Sequence, residues 1–259
     1  MRIIDTHIHY GVYPGIPWIS VDFARVLEET RAAGTNAHVL VSTFEQLVPA
    51  PVAADAILRG NEEILRAVER EPDCWMLAVL HPGMPEVVAQ AGQLLKEPKC
   101  LGVKCGPVYH TYDMAGPAGR ALFEFLVEHD APAIIHTTDD PYDHPERIFP
   151  LTDEFPEARV LLAHFASIGW GIAHAELAAQ HPSRNVWAGY DYPLCARYGL
   201  LDTYVKMIGA DRIIYGSDMP CYYPKPTIEG VLSAHISAED KQKILADNAE
   251  RFFRRNLVG

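Results

Sequence analysis

Apolar residues in this chain fall into short runs separated by longer amphipathic stretches. Eight such runs, each of four to six residues, lie at 2–5, 38–42, 75–80, 101–104, 133–136, 159–164, 185–189 and 212–216. Most are apolar on both faces and contain β-branched residues, the pattern of parallel strands covered by helices. They recur about every 30 residues, the length that a strand, a loop, a helix and a return loop require. The stretches between them read as helices. Ser20 is placed to cap a segment carrying Phe23, Val26 and Leu27 on one face, with Gly34 as its stop. Pro85 opens a helix through Val88, Ala91 and Leu95 that ends before Pro98, and Pro117 opens another with Leu122, Phe125 and Leu126 inward. Ser237, with Asp240 three residues on, resembles a capping box for a last helix through Ile244, Leu245 and Phe252. Between 138 and 156, Pro141, Pro145, Pro150 and Pro156 break any long helix.

Alternating strands and helices imply a parallel sheet. Eight strands can close into a barrel or lie open, and no G-x-G-x-x-G or G-x-x-x-x-G-K-[ST] follows any of them, which removes the commonest phosphate-binding reason for an open sheet. The expected fold is α/β, a single (β/α)8 TIM barrel spanning 1–259 as one domain, with its active site at the C-terminal ends of the strands.

The sharpest chemical feature is Asp5-Thr6-His7-Ile8-His9. In a strand, alternate side chains share a face, so Asp5, His7 and His9 are expected to point one way, and two adjacent imidazoles suit a divalent ion. A solvated strand face explains the pair alone. It explains poorly that Lys104, His136, His164 and Asp218 each stand at the exit of another apolar run. In a barrel those exits share one rim. Histidines from runs one, five and six with an aspartate after run eight form a metal-binding constellation.

Together, Asp5-Thr6-His7-Ile8-His9, Gly102-Val103-Lys104, Ile135-His136-Thr137, Leu162-Ala163-His164, Tyr215-Gly216-Ser217-Asp218-Met219-Pro220 and the closing Asn248-Ala249-Glu250-Arg251-Phe252-Phe253 resemble the signatures of the amidohydrolase superfamily. The closer likeness is to its amidohydrolase-related branch, which includes aminocarboxymuconate semialdehyde decarboxylase, and it covers residues 2 to about 255. The resemblance implies that His7, His9, His136 and Asp218 ligate a metal, most simply zinc, with manganese or iron as alternatives. It makes His164 a second-metal ligand or a catalytic residue, and Asp218 a catalytic residue as well as a ligand. Lys104 stands where two-metal members carry a carboxylated, bridging lysine; the alternative is an unmodified lysine paired with Asp218 or with a substrate carboxylate. A divalent ion in such a site lowers the pKa of bound water from about 15.7 toward about 7. The implied activity is therefore hydrolysis of an ester, lactone or amide carbonyl of a small molecule. The alternative is a lyase, a non-oxidative decarboxylase or hydratase acting on an aromatic or unsaturated carboxylate. A barrel that binds a small molecule without turning it over would leave the ligand set idle.

Loop residues beyond the strands are candidates for shaping the pocket: Trp18 in the first loop, Tyr109, His110 and Tyr112 after the fourth run, and Thr138, Asp139 and Asp140 after the fifth. Asp191, Tyr192 and Arg197 follow the seventh, and Tyr222 and Tyr223 the eighth. Trp18, Tyr109, His110, Tyr192 and Arg197 are the expected substrate contacts, Arg197 as a clamp on a carboxylate.

Composition bounds the partners. The chain has 259 residues, with 22 Lys and Arg against 34 Asp and Glu, for a formal net charge of −12. That balance argues against nucleic acid or an anionic membrane as a partner. No apolar run is long enough to cross a bilayer, the N-terminus lacks a signal-peptide core, and the five cysteines form no CxxC pair. A cytoplasmic enzyme with reduced thiols and a small-molecule substrate is expected, and homo-oligomerisation through the outer helices is compatible with the pattern.

Overall fold

A computed structural model describes residues 1–11, 22–43, 53–164, 172–181 and 185–258. Trp18 and Ser20 lie outside the described residues. Eight strands, β1 Ile4–Tyr10, β2 Ala37–Ser42, β3 Cys74–Val79, β4 Cys100–Cys105, β5 Pro132–His136, β6 Arg159–Ala163, β7 Val186–Tyr190 and β8 Ile213–Tyr215, pair in parallel in sequence order. The circle closes where the segment after β8 meets β1: Asp218 N donates to His7 O at 2.9 Å and His9 N to Met219 O at 2.6 Å. The result is the (β/α)8 barrel that the alternation predicts.

Each expected run became a strand, and the largest change is in β1. The apolar run stops at residue 5, but the strand continues to Tyr10, so His7 and His9 lie within it. Polar side chains ended the apolar run, but the alternation of Asp5, His7 and His9 is that of a strand, as found. In a barrel they are tolerated on the lumen side near the C-terminal end, where they line a site. A bulge interrupts the β1–β2 register: Asp5 pairs with His38, but Ile8 pairs with Leu40, so three steps on β1 match two on β2. Such an insertion re-aims side chains next to a site.

Helices pack outside the sheet: α1 Phe23–Ala32, α2 Ala54–Val68, α3 Pro85–Leu94, the single turn α4 Pro107–His110, α5 Pro117–Glu128, α6 Pro145–Glu154, α7 Ile172–Gln180, α8 Leu200–Ile208 and α9 Pro224–Ser233. The N-cap of α1 is Asp22, whose carboxylate accepts from Arg25 N at 2.7 Å, and not Ser20. Pro85 and Pro117 open α3 and α5 as expected, because a first-turn proline gives up only an N–H that has no helical partner. The proline-rich stretch nonetheless forms the ten-residue α6, with Pro145 in its first turn and Pro150 inside it. The last helix is capped by Ser237 but is not uniform. It runs as α10 Ala238–Gln242, a wide π-helical turn Lys243–Asp247, and α11 Asn248–Phe253. Asn248 then donates to the carbonyls of Ala210 and Ile213, each at 2.7 Å, tying this helix to the start of β8.

Buried amides fasten the outer layer to the barrel. Asn61 of α2 accepts from Val79 N at 2.8 Å and donates to Val79 O at 3.0 Å, so one side chain satisfies both backbone groups at the end of β3. Replacing it strands those groups in a dry interior. Asn61→Ala is expected to lower the unfolding free energy by about 1–3 kcal/mol, measurable by urea denaturation, with no change in the metal content of the folded fraction.

Candidate active site

The C-terminal ends of the strands gather the polar residues that the apolar patterning left over. His7 and His9 come from β1, Lys104 from β4 and His136 from the last position of β5. His164, Asp191 and Asp218 follow β6, β7 and β8. All seven are at most 4 % exposed. Asp218 Oδ1 stands 3.0 Å from His9 Nε2 and 3.7 Å from His7 Nε2. Ligand atoms of His7, His164 and Asp218 lie within 4.8 Å of one another, and the His136 ring is centred 4.8 Å from that of His164. The imidazoles and the carboxylate expected from sequence therefore meet in one buried cluster.

Asp191 organises that cluster. One carboxylate oxygen lies 2.8 Å from His7 Nδ1; the other accepts from His164 N at 2.7 Å and lies 3.3 Å from His164 Nδ1. A carboxylate at Nδ1 makes that nitrogen the proton carrier and leaves the His7 Nε2 lone pair facing the cluster. His7 Nε2 and both ring nitrogens of His136 are buried with no hydrogen-bond partner among the described residues. Buried acceptors of this kind are costly unless something binds them. An ion held by imidazole nitrogens and a carboxylate satisfies them, so the residues fit a divalent metal.

The charges agree. Burial, reinforced by the neighbouring His164 and Lys104, holds the His136 imidazole well below the usual histidine range, in its neutral, ligating form. His7 is lowered by burial and then by Lys104. Burial would raise Asp218, but the charges of His164, His9 and His7 outweigh it and keep the carboxylate ionised. Burial pulls His164 down, and Asp191 and Asp218 overcome that and raise it. Asp5 sits beneath the pair. Its Oδ1 accepts from Ser217 N at 2.9 Å and from His7 N at 3.3 Å, linking β1 to the loop after β8, and burial pushes it up to about 7.

Backbone geometry is specialised at the same points. His164 and Asp218 both adopt φ of 58°, the left-handed region, which costs a non-glycine residue on the order of 1–3 kcal/mol. Gly216 permits the close approach of three elements: a Cβ there would meet His7 Cβ at 2.9 Å and Asp191 Cβ at 3.0 Å.

The expected substrate contacts divide. The Tyr109 ring is centred 4.7 Å from His136 and that of Tyr192 6.0 Å from His164, so both border the cluster. Tyr222, named in the sequence only among loop aromatics, packs edge-on to Tyr192 at 4.8 Å. His110 is buried and stacks on His81 at 5.4 Å. Arg197 is exposed, outside the buried cluster. Sequence reasoning placed Asp191 among pocket-shaping loop residues and missed its bridging role. Its position directly after an apolar run, the same signal that marked His164, was available.

The amidohydrolase family model matches residues 4–255, and the chain belongs to that family. No curated protein matches it in sequence. Among solved structures it is similar to 5-carboxyvanillate decarboxylase from Sphingomonas paucimobilis, at 15 % identity and a TM-score of 0.76, over 98 % of this chain and 99 % of that one. It is similar to 2,6-dihydroxybenzoate decarboxylase from Rhizobium, at 17 % identity and a TM-score of 0.76, over 98 % and 99 %. It is also similar to a dihydroxybenzoic acid decarboxylase from Polaromonas with bound manganese and the inhibitor 2-nitroresorcinol, at 16 % identity and a TM-score of 0.76, over 98 % and 97 %. The chain is an enzyme of the amidohydrolase superfamily. No described helix is long and apolar enough to cross a membrane.

Asp191→Ala removes the partner of His7 Nδ1 and is expected to weaken metal affinity by roughly 10–100-fold, as read by competition with a fluorescent chelator. Stripping the metal from the wild-type protein should lower its melting temperature, and restoring the ion should recover it; His136→Ala should show a much smaller recovery.

Proposed function

We propose that this chain is a metal-dependent lyase that decarboxylates a small aromatic or unsaturated carboxylate, with His7, His9, His136 and Asp218 holding a single divalent ion. The observation that carries this reading is Lys104, a fully buried lysine whose charge is felt by His7, His136 and His164. Hydrolysis at a neutral carbonyl gives no reason for a second cation in the pocket. A substrate carboxylate does: the ammonium offsets its charge in a region of low dielectric, where an unpaired anion is costly to bury. The decarboxylases named above support the same direction, and the bound manganese in the Polaromonas structure favours manganese over zinc.

When bound, the ion supplies Lewis acidity, neutralising negative charge that builds on substrate oxygen. The side chains do the rest. Tyr109 and Tyr192 offer aromatic edges and faces to a planar ring at the mouth of the cluster. Lys104 holds the carboxylate that departs. As the bond from the ring carbon to the carboxylate breaks, carbon dioxide leaves, the bonding electron pair stays on the ring carbon, and that carbon takes one proton, drawn from solvent and relayed by Asp218, which ends the cycle ionised again. His164, fixed by Asp191, donates a hydrogen bond toward the negative charge that develops on the substrate.

Hydrolysis of an ester, lactone or amide is the second reading. Asp218 favours it, as a buried ionised carboxylate able to accept a proton from an attacking water. The two are separable. Manganese-loaded protein is expected to release carbon dioxide from a member of a hydroxybenzoate and unsaturated-carboxylate panel, with one ion per chain. Lys104→Met should lower kcat/KM for that substrate by on the order of 100-fold while metal content is kept. Turnover of lactones or amides with heavy oxygen from labelled water in the product, insensitive to Lys104→Met, would establish hydrolysis instead.

A further inference from the structure

The opposite end of the barrel holds a cavity of about 790 Å³ with a different character. Four arginines line it: Arg159 at the start of β6, Arg212 just before β8, and Arg251 and Arg254 from the last helix and its end, with Trp187 of β7 and Asp211 completing the wall. In a chain of net charge −12, four guanidiniums around one cavity run against the overall balance.

Their partners do not neutralise them. Asp130 is shared, 3.2 Å from Arg159 Nη2 and 2.8 Å from Arg254 Nη1, and Arg159 also donates to the carbonyls of Phe252 and Asp130. Asp211 is likewise shared, 3.5 Å from Arg251 Nη1 and 3.6 Å from Lys243 Nζ. Arg212 forms no ion pair among the described residues; its guanidinium donates to the carbonyls of Val186, Ala178 and His181 at 3.3, 3.0 and 3.1 Å. Arg251 lies over the Trp187 ring, 6.0 Å from its centre, which leaves its charge directed by an aromatic face and not by a second acid. Burial and then the charge of Arg254 lower Arg159, as expected where positive charge is crowded and incompletely compensated.

We propose that this cavity binds a small divalent oxyanion, a phosphate or a dicarboxylate, separately from the chemistry at the other rim. The guanidinium fork matches the paired oxygens of both groups; Arg159 and Arg212, held by main-chain carbonyls, contribute charge, and Arg251 and Arg254 are the forks that would grip the ligand. The volume suits a small molecule. Arg159 begins the strand that ends at His164, five residues and about 16 Å along it, so this site does not overlap the metal cluster.

Isothermal titration of the purified protein with inorganic phosphate and, separately, with succinate, each at constant ionic strength set with sodium chloride, tests the proposal. Saturable binding of at least one of the two at one site per chain is expected. The double variant Arg251→Gln with Arg254→Gln should weaken that binding about tenfold or more, and His136→Ala should leave it unchanged. Both arginines are on the outer surface, and circular dichroism checks the fold; Arg254→Gln alone decides the matter if the double variant is unfolded. Binding of phosphate only, or of succinate only, supports the proposal and selects the ligand class. No saturable binding of either, binding unaltered by the arginine variants, or binding abolished by His136→Ala overturns it.

Discussion

Both oxygens of Asp191 are committed, one to the His7 ring and one to the main chain and ring of His164. A carboxylate so deeply buried is unstable alone, and it persists here because two imidazoles and a backbone amide surround it. Burial raises Asp191, but His164 and His7 drive it well below the ordinary carboxylate range. Three strands are thereby fixed relative to one another, because His7 belongs to β1, His164 follows β6 and Asp191 follows β7. Shifting β7 by one residue would place a different side chain between the histidines, release the His7 tautomer and disperse the cluster. The order of the buried imidazoles rests on this one bridge.

Closure of the barrel serves the same end. Asp218 reaches His9 and His7 because its own amide donates to His7 O, so the hydrogen bond that joins the last strand to the first also sets this carboxylate among the imidazoles. Gly216 allows this by presenting no Cβ where His7 and Asp191 already meet. The left-handed backbone at His164 and Asp218 is consistent with that demand, since each turns sharply out of a strand to point inward.

Much of this was legible in the sequence because a parallel barrel writes a plain pattern. Its strands are buried on both sides and so appear as apolar runs, and a polar residue ending such a run marks the rim. That logic found His136, His164 and Asp218 without any contact information. The apolar run alone ended at residue 5, and it was the alternation of Asp5, His7 and His9 that carried the first strand on to the rim, as β1 does. The same logic passed over Asp191 as a bridge because that role is defined by partners 184 and 27 residues away. It named Arg197 as a carboxylate clamp on side-chain chemistry alone; that residue is exposed, whereas Lys104 is buried among the rim residues. The helix cap moved from Ser20 to Asp22 for an equally local reason, since both types cap well and two residues decide which begins the turn.

The donors gathered from His7, His9, His136, His164 and Asp218 are nitrogen and oxygen. Cys100 begins β4 at the end opposite Lys104, and burial pushes its thiol up to about 11, so it stays protonated. A site without thiolate has little means of choosing among the first-row divalent ions by softness, and its intrinsic preference follows the general affinity order of those ions. An ion taken up by such a donor set would therefore be chosen by supply, the polypeptide carrying whichever of them the surrounding pool offers in greatest free amount relative to that order.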